Sequence, residues 1–459
     1  MDPLGILADD LTGACDCAAP FAQRGARVAV RIQPAAPAPR PGEWDVLVVN
    51  TGSRHEAPAE ARALVRRGAL LLRQAGWPLG FKKIDSTLRG NIGPEIEELL
   101  ELGAIRAWLA PAFPQQGRTV EGGRLRVHGA PPAQSATERG GSERGESPRD
   151  GAVRDGAVRD GVVRDGAPPD GRIAAALGPA CEPVGRLELA ALEQGAAALA
   201  GEVRLQRALG CRVIVCDGTA PAHLRLLARM SREREIAEPR ELFVGSAGLT
   251  RELAAVLLPE PAPEPPSSTP SAGPSGAPLL VIAGSRQSTT QQQLAALAQA
   301  PATAHCALDP ARLDVDAAAH LGEIEAHLRR AAAQGARVLV LAVRQEPGPA
   351  QAGAAPSTAE RQAPAERAQR ILDALARLAE RLVPALGPRG LVLTGGDVAL
   401  AVLLALRAGL LAVEGEVLPG IARARIGDGP LAGLPVVTKA GGFGDAQALL
   451  AATAALGAR

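Results

Sequence analysis

Aromatic side chains make up only 2% of the 459 residues, and tyrosine is absent. Few platforms remain on which bases could stack. Charge is equally balanced: 50 Lys and Arg against 49 Asp and Glu leave a net +1 at pH 7, with no large basic field. Both shortages argue against nucleic acid as a partner. Cysteine is sparse too, at 15, 17, 181, 211, 216 and 306, without framework spacing. Buried reduced thiols are expected rather than disulfides or a zinc site. No apolar run reaches membrane-spanning length. Acids at positions 2, 9 and 10 break any amino-terminal apolar region that a signal peptide would need. The expectation is a cytoplasmic protein with no membrane partner. Neither GxxxxGKS nor GxxxxGKT occurs, and no GxGxxG follows the first apolar run. A P-loop enzyme is thereby excluded, and a dinucleotide domain of the usual kind is disfavoured. His55 follows a strand and could reach a crevice there, whereas His128, His223, His305, His320 and His327 have no ligand spacing.

What the chain does have is strand–helix repetition, beginning with LGILADDLTGACDCAAPFAQRG at 4–25. An apolar run, 4–8, stops at Asp9 and Asp10; Thr12, Gly13 and an alanine-rich segment containing Asp16 follow. This reads as a buried parallel strand, a polar loop at its carboxyl end and a helix packing back. Further strands are expected at 27–32, 45–50, 81–84, 107–113 and 211–218, with helices at 59–75, from Pro94, at 185–203 and at 223–230. Residues 242–258 read as a turn followed by a helix. The stretch 134–170 carries tandem RDGAV-type repeats with few bulky side chains, so disorder is expected there.

At this length two domains are expected. The Pro/Ser-rich stretch 259–278 is the boundary: 1–258 forms one α/β domain, with 134–170 as an insert, and 279–459 a second with its own sheet. In the second, strands at 279–283, 336–343 and 390–397 alternate with helices from Ser288, at 364–383 and at 398–411. The fold class is thus α/β: two domains with mostly parallel sheets facing across a cleft.

Ligands in such sheets bind beyond the carboxyl ends of strands. One cluster there is Asp9, Asp10, Thr12 and Asp16, which reads either as a cap or as carboxylates that accept a proton or hold a metal. A second is Lys82, Lys83, Asp85, Ser86, Thr87, Arg89 and Gly90, where Arg89 offers a planar fork to a carboxylate or phosphate. The third is a set of glycine turns: Gly284-Ser285, Gly395-Gly396-Asp397 and Gly441-Gly442-Phe443-Gly444-Asp445. Their backbone N–H groups could hold phosphates. Acids and an arginine on one side and phosphate-binding turns on the other suggest phosphoryl transfer, which relies on positioning, charge neutralisation and usually magnesium.

The ordered motifs ADDLTGACDCAAPFAQRG, FKKIDSTLRGNIG, PAFPQQGR, VGSAGL, IAGSRQSTTQQQ, LTGGDVA and KAGGFGD resemble the four-carbon acid sugar kinase family. The resemblance implies an ATP-dependent kinase of a 3-oxo-tetronate, threonate or erythronate, using ATP and Mg²⁺. It places Thr12, Lys83, Asp85, Ser86 and Arg89 at the sugar acid, and Ser285, Gly395, Gly396, Asp397, Val398, Gly441 and Gly442 at the nucleotide. Asp9, Asp10 and Arg89 are the catalytic candidates: Asp10 as base or base-orienter, Arg89 as clamp on the substrate carboxylate. No dedicated metal ligand is assigned, and a homodimer is left open. Two departures stand out: the RDGAV repeats replace a substrate-side segment, and the serine turn reads GSRQS, so that Arg286 could approach a phosphate or point to solvent. The rival readings are a regulatory protein that binds sugar acid and nucleotide with weakened catalysis, and an NAD(P)-dependent dehydrogenase of a small hydroxy acid.

Overall fold

The structure is a computed structural model describing residues 2–33, 39–127, 171–232, 241–259, 276–285, 287–344 and 358–457. The repeats of 134–170, most of the 259–278 linker and Arg286 lie outside these residues.

The chain opens as β1 (Leu4–Ala8), α1 (Leu11–Ala22), β2 (Val28–Arg31), β3 (Val46–Asn50), α2 (Pro58–Gln74), β4 (Leu79–Lys83), α3 (Ile92–Glu101) and β5 (Arg106–Ala110). A separate hairpin follows, β6 (Arg118–Glu121) with β7 (Arg124–Val127). Then come β8 (Val184–Leu187), α4 (Leu189–Glu193), α5 (Ala196–Ala208), β9 (Val213–Cys216), α6 (Pro221–Arg229), β10 (Glu241–Gly245) and α7 (Ala247–Leu257). The second half runs β11 (Leu279–Ala283), α8 (Ser288–Ala298), β12 (Thr303–Leu308), α9 (Pro310–Ala333), β13 (Val338–Val343), α10 (Thr358–Leu386), β14 (Gly390–Thr394) and α11 (Gly396–Ala405). It closes with β15 (Leu410–Leu418), β16 (Ile421–Ile426), β17 (Pro435–Lys439) and α12 (Ala448–Ala455).

Two parallel arrays are present, β2-β3-β1-β4-β10-β5-β9-β8 and β12-β13-β11-β14-β17. Their strands read as apolar runs because helices cover both faces; β3, β11, β13 and β14 are buried at every position. One expectation changes. The second array does not have a sheet of its own: β16 and β15 join the two edge to edge in one 15-stranded sheet, with β15 antiparallel to β2.

This joint positions the site. Three antiparallel pairings, β17 with β16, β16 with β15 and β15 with β2, reverse the strand direction between the arrays. The six steps from β14 to β1 also accumulate about 120–150° of twist at roughly 20–25° per strand. Reversal and twist together turn the carboxyl ends of β14 and β1 to the same side. Helix α1 fills the angle between the halves, and every residue from Leu11 to Phe21 is buried. Its Ala, Gly and Cys content suits that close packing.

Two local readings are also corrected. The span 185–203 is not one helix: Val184–Leu187 pairs parallel to β9, and Gly195, at φ 92°, separates α4 from α5. Glu241–Gly245 is a strand between β4 and β5 rather than a turn. All six cysteines are free, and five of them are buried. Among the described residues, no helix is long and apolar enough to cross a membrane.

Candidate active site

Strand order brings three exits together, because β1 lies between β3 and β4. Arg54, in the loop after β3, joins them. Its Nε donates to Asp9 Oδ2 at 3.0 Å, and its Nη2 donates to Asp9 Oδ1 at 2.9 Å and to Asp10 Oδ1 at 2.7 Å. Its Nη1 lies 3.8 Å from Asp85 Oδ1. Burial opposes the charge of Arg54, but Asp10, Asp9 and Asp85 outweigh it and hold the guanidinium well above its ordinary range. Burial likewise pushes the Asp9 carboxyl up, and Arg54, Lys82 and Lys83 overcome it, keeping Asp9 below the usual carboxylate value. Asp9 is thus an ionised, buried partner of Arg54.

Asp10 differs. It caps α1, its Oδ1 accepting from the Gly13 N–H at 2.9 Å, while Thr12 Oγ1 donates to its Oδ2 at 2.7 Å. Capping satisfies an otherwise orphaned N–H, and it fixes this carboxylate at the start of the helix. The cap reading of this loop is the one observed.

On β4 the two lysines point to opposite sides, as successive strand residues do. Lys82, fully buried, pairs with Glu95 Oε2 at 2.5 Å, and Glu95 Oε1 accepts from Ser53 Oγ at 2.6 Å. Burial raises the Glu95 carboxyl despite Lys82. Lys83 turns toward α1, where its Nζ lies 2.8 Å from the point a β-carbon on Gly13 would occupy. Beyond the strand, Asp85 accepts from Arg89 Nε at 2.9 Å, from Arg89 Nη2 at 2.7 Å and from the Thr87 hydroxyl. Burial raises Asp85, but Arg89 and Arg54 dominate and hold it well below the carboxylate range. Arg89 is therefore held by Asp85 along one edge, with its side chain 31% exposed. Ser86 is buried beside it.

The glycine turns of the second half converge as well. A β-carbon on Gly441 would overlap Ser285 Oγ, and one on Gly395 would come 3.8 Å from the Ser285 N. Thr290 Oγ1 donates to Gly441 O at 2.8 Å and shares a hydrogen bond with Ser285 Oγ at 3.1 Å, tying two of the turns together. Gly395, at φ 102°, adopts a backbone that other residues rarely take, which aims the first turn of α11 at the cleft. Val398 packs against Gly284. Gly442 lies near Gln287. Lys439 is buried with its Nζ on Ala440 O and Gly441 O, at 2.9 and 3.1 Å, and burial pulls it down to about 8.

The two sets meet. A β-carbon on Gly396 would stand 2.9 Å from Asp10 Oδ2 and 3.2 Å from Thr12 Oγ1. His55 Nε2 lies 4.0 Å from Asp397 Oδ2 across the same gap. Farther along, the Arg118 guanidinium covers the Phe443 ring at 5.3 Å, and Gln116 Nε2 donates to Pro419 O at 3.2 Å. Two surface hollows, of about 670 and 580 Å³, lie elsewhere, at β8 and at the ends of α6 and α7.

The comparisons agree with this geometry. Residues 4–142 and 167–253 match a family described as Sugar-binding N-terminal domain, and 280–449 one described as Nucleotide-binding C-terminal domain. A D-threonate kinase of Bordetella bronchiseptica is 33% identical, over 99% of this chain and 97% of that protein. The chain belongs to the four-carbon acid sugar kinase family. A D-erythronate kinase of Heliobacterium modesticaldum is 31% identical, over 98% and 95% of the two chains. A 3-oxo-tetronate kinase of Pseudomonas fluorescens is 30% identical, over 96% and 94%. Solved chains from Salmonella typhimurium and Haemophilus influenzae superpose with TM-scores of 0.71 and 0.66 at 21% and 20% identity. Each covers 98% of this chain, and 99% and 100% of the solved chain respectively. The Salmonella chain carries a tRNA synthase description; at that identity the likeness shows the fold alone.

In this kinase-family chain the sequence pattern does not single out Arg54, Glu95, Lys439 or the Arg118–Phe443 contact. Arg54 and Lys439 both stand at strand exits, the signal used for the other loops. The acids that meet Arg54 are distant from it in sequence, 45 residues in the case of Asp9, so that pairing is not readable.

Proposed function

We propose that this protein transfers the terminal phosphoryl group of ATP to the terminal hydroxyl of a four-carbon sugar acid of the threonate, erythronate or 3-oxo-tetronate type. The abutment of the Asp10–Thr12 loop on Gly396 carries the reading. It sets a carboxylate and a hydroxyl from the sugar-acid half against a helix N-terminus and glycine turns suited to phosphate. Phosphoryl transfer draws most of its catalysis from such positioning and charge placement.

In this reading Thr12, Lys83, Asp85, Ser86 and Arg89 receive the sugar acid. Arg89, anchored on Asp85, keeps its outer edge for the substrate carboxylate, and Asp9 acts with Asp10 through Arg54. Asp10 orients the attacking hydroxyl or takes its proton. Ser285, Gly395, Gly396, Asp397, Val398, Gly441 and Gly442 receive ATP. Among the described residues, no three His, Cys, Asp or Glu side chains gather to hold a metal unaided. Magnesium keeps several waters and binds through one or two carboxylates plus substrate phosphates. Asp397, in the first turn of α11 with its side chain 61% exposed, fits that requirement, since an acid beside phosphates calls for a cation between them.

Thermal protection by ligands tests this. Protection by ATP–Mg²⁺ but not by NAD(P), with ADP released on a four-carbon acid, is expected. Protection by NAD(P) would support a dehydrogenase instead, and ADP binding without turnover on any such acid would support a regulatory protein.

A further inference from the structure

Asp16 is the only charged side chain within α1, and the functional reading leaves it unused. It is 7% exposed, and its Oδ1 has no hydrogen-bond partner. A buried acceptor left unmet is destabilising, so its presence calls for an explanation.

Lys83 supplies one. Its Nζ lies over Gly13, and Gly13 and Asp16, three residues apart, share a helix face. Lys83 is itself buried, and its Nζ donates to Ile84 O at 2.9 Å. Among the described residues no carboxylate forms an ion pair with it. The other charged groups facing Asp16 are Arg251 on α7, Glu416 on β15 and Asp10 at the start of α1. Arg251 pairs first with Glu416, its Nη2 donating to Glu416 Oε1 and Oε2 at 2.7 and 2.6 Å, while its buried Nε has no partner. Cys15 and Cys17 stay neutral, their thiols pushed up by burial. Asp10 Oδ1 lies close to the same point over Gly13 but is held by Arg54 and the Gly13 N–H, and of the two cations facing Asp16, Lys83 acts on it more strongly than Arg251.

We propose that Asp16 is a positioning residue for Lys83: ionised, it holds the ammonium charge, and protonated, it releases that charge to the carboxylate of the sugar acid. The proposal rests on the reading of the cleft as a sugar-acid site. Burial pushes Asp16 up to about 7; Lys83 and Arg251 oppose that rise, while Glu416 and Asp10 add to it. Exchange between the two states therefore falls at neutral pH. By linkage, binding of the anion takes up a proton at Asp16, and affinity falls as pH rises through about 7.

The test is KM for the best sugar acid in the full-length enzyme across neutral pH, with Asp16→Asn beside the parent. The parent's KM should rise about threefold to tenfold from pH 6 to pH 8, since each unit of coupling is worth tenfold, with kcat little changed. Asp16→Asn should hold KM low and flat. An equal rise in Asp16→Asn, or a fall in its kcat with the pH profile of KM retained, would overturn the proposal. A second measurement needs no substrate: the ¹³C signal of the Asp16 carboxyl should titrate near neutrality and move to higher pH in Lys83→Met. A signal unmoved by Lys83→Met overturns the coupling even if Asp16→Asn fails to fold. Absence of turnover on any four-carbon acid would count against the functional reading and leave this titration to decide the coupling.

Discussion

Gly396 abuts Asp10: a β-carbon there would stand 2.9 Å from the Asp10 carboxylate and 3.2 Å from the Thr12 hydroxyl. Such a contact is tighter than van der Waals packing allows, and both neighbours are fixed by the helix cap. Gly396→Ala should therefore push the nucleotide turn away from the sugar-acid loop. Misplacement on that scale costs on the order of a hundredfold in rate. Steady-state kinetics should show that loss, with a melting temperature within a few degrees of the parent.

Arg54 bridges Asp9, Asp10 and Asp85. Removing one partner of a buried ionic cluster costs about 3–5 kcal/mol, so Arg54→Met should lower urea-denaturation stability at pH 7 by that order. The acid limb should shift too. Asp9 and Asp85 are held below their ordinary 3.8, so their contribution is present above that value and lost as pH falls through the folded values. Without Arg54 that loss should begin at higher pH in an acid titration followed by circular dichroism.

Phe443 ties the GGFGD turn to the first half through Arg118 at 5.3 Å and Phe113 at a ring separation of 6.4 Å. Cation–π and aromatic pairs each contribute about 0.5–2 kcal/mol. Phe443→Ala should raise the KM for ATP several-fold while leaving the KM for the sugar acid nearly unchanged. The reverse pattern would place Phe443 on the substrate side.

Asp16 should also be visible in stability. Its folded value, raised to about 7 from 3.8, means that its favourable contribution is complete below 3.8 and is lost as pH rises through about 7. Asp16→Asn removes this loss. Calorimetry should find the melting temperature of Asp16→Asn, relative to the parent, higher at pH 8 than at pH 4. A difference constant with pH would contradict the raised carboxyl.

Strands covered on both faces were legible in the sequence because burial demands continuous apolar runs: DVLVVN and LLVIA announce β3 and β11. Edge and joint elements were not. β8 contains Gly185 and Arg186, and its identity as a strand comes from pairing with β9. The β15–β16 hairpin alternates around Pro419-Gly420, a period-two signal, but nothing local says that it welds two arrays into one sheet. The site shows the same division. Polar strand exits exposed Asp9, Asp10, Asp85 and the glycine turns, since ligand chemistry gathers there. That Arg54 meets three of those acids depends on β1 lying between β3 and β4. Strand order is a property of the whole sheet, settled by contacts far apart in the chain.

The most direct test is a coupled ADP-release assay over threonate, erythronate and 3-oxo-tetronate stereoisomers, with Asp10→Asn and Arg89→Ala beside the parent. ADP release should require one of these acids, and Asp10→Asn should lower kcat/KM by about a hundredfold or more, with Arg89→Ala acting mainly on the KM of the acid. ADP release independent of any sugar acid, or kcat/KM unchanged in both variants, would contradict the account.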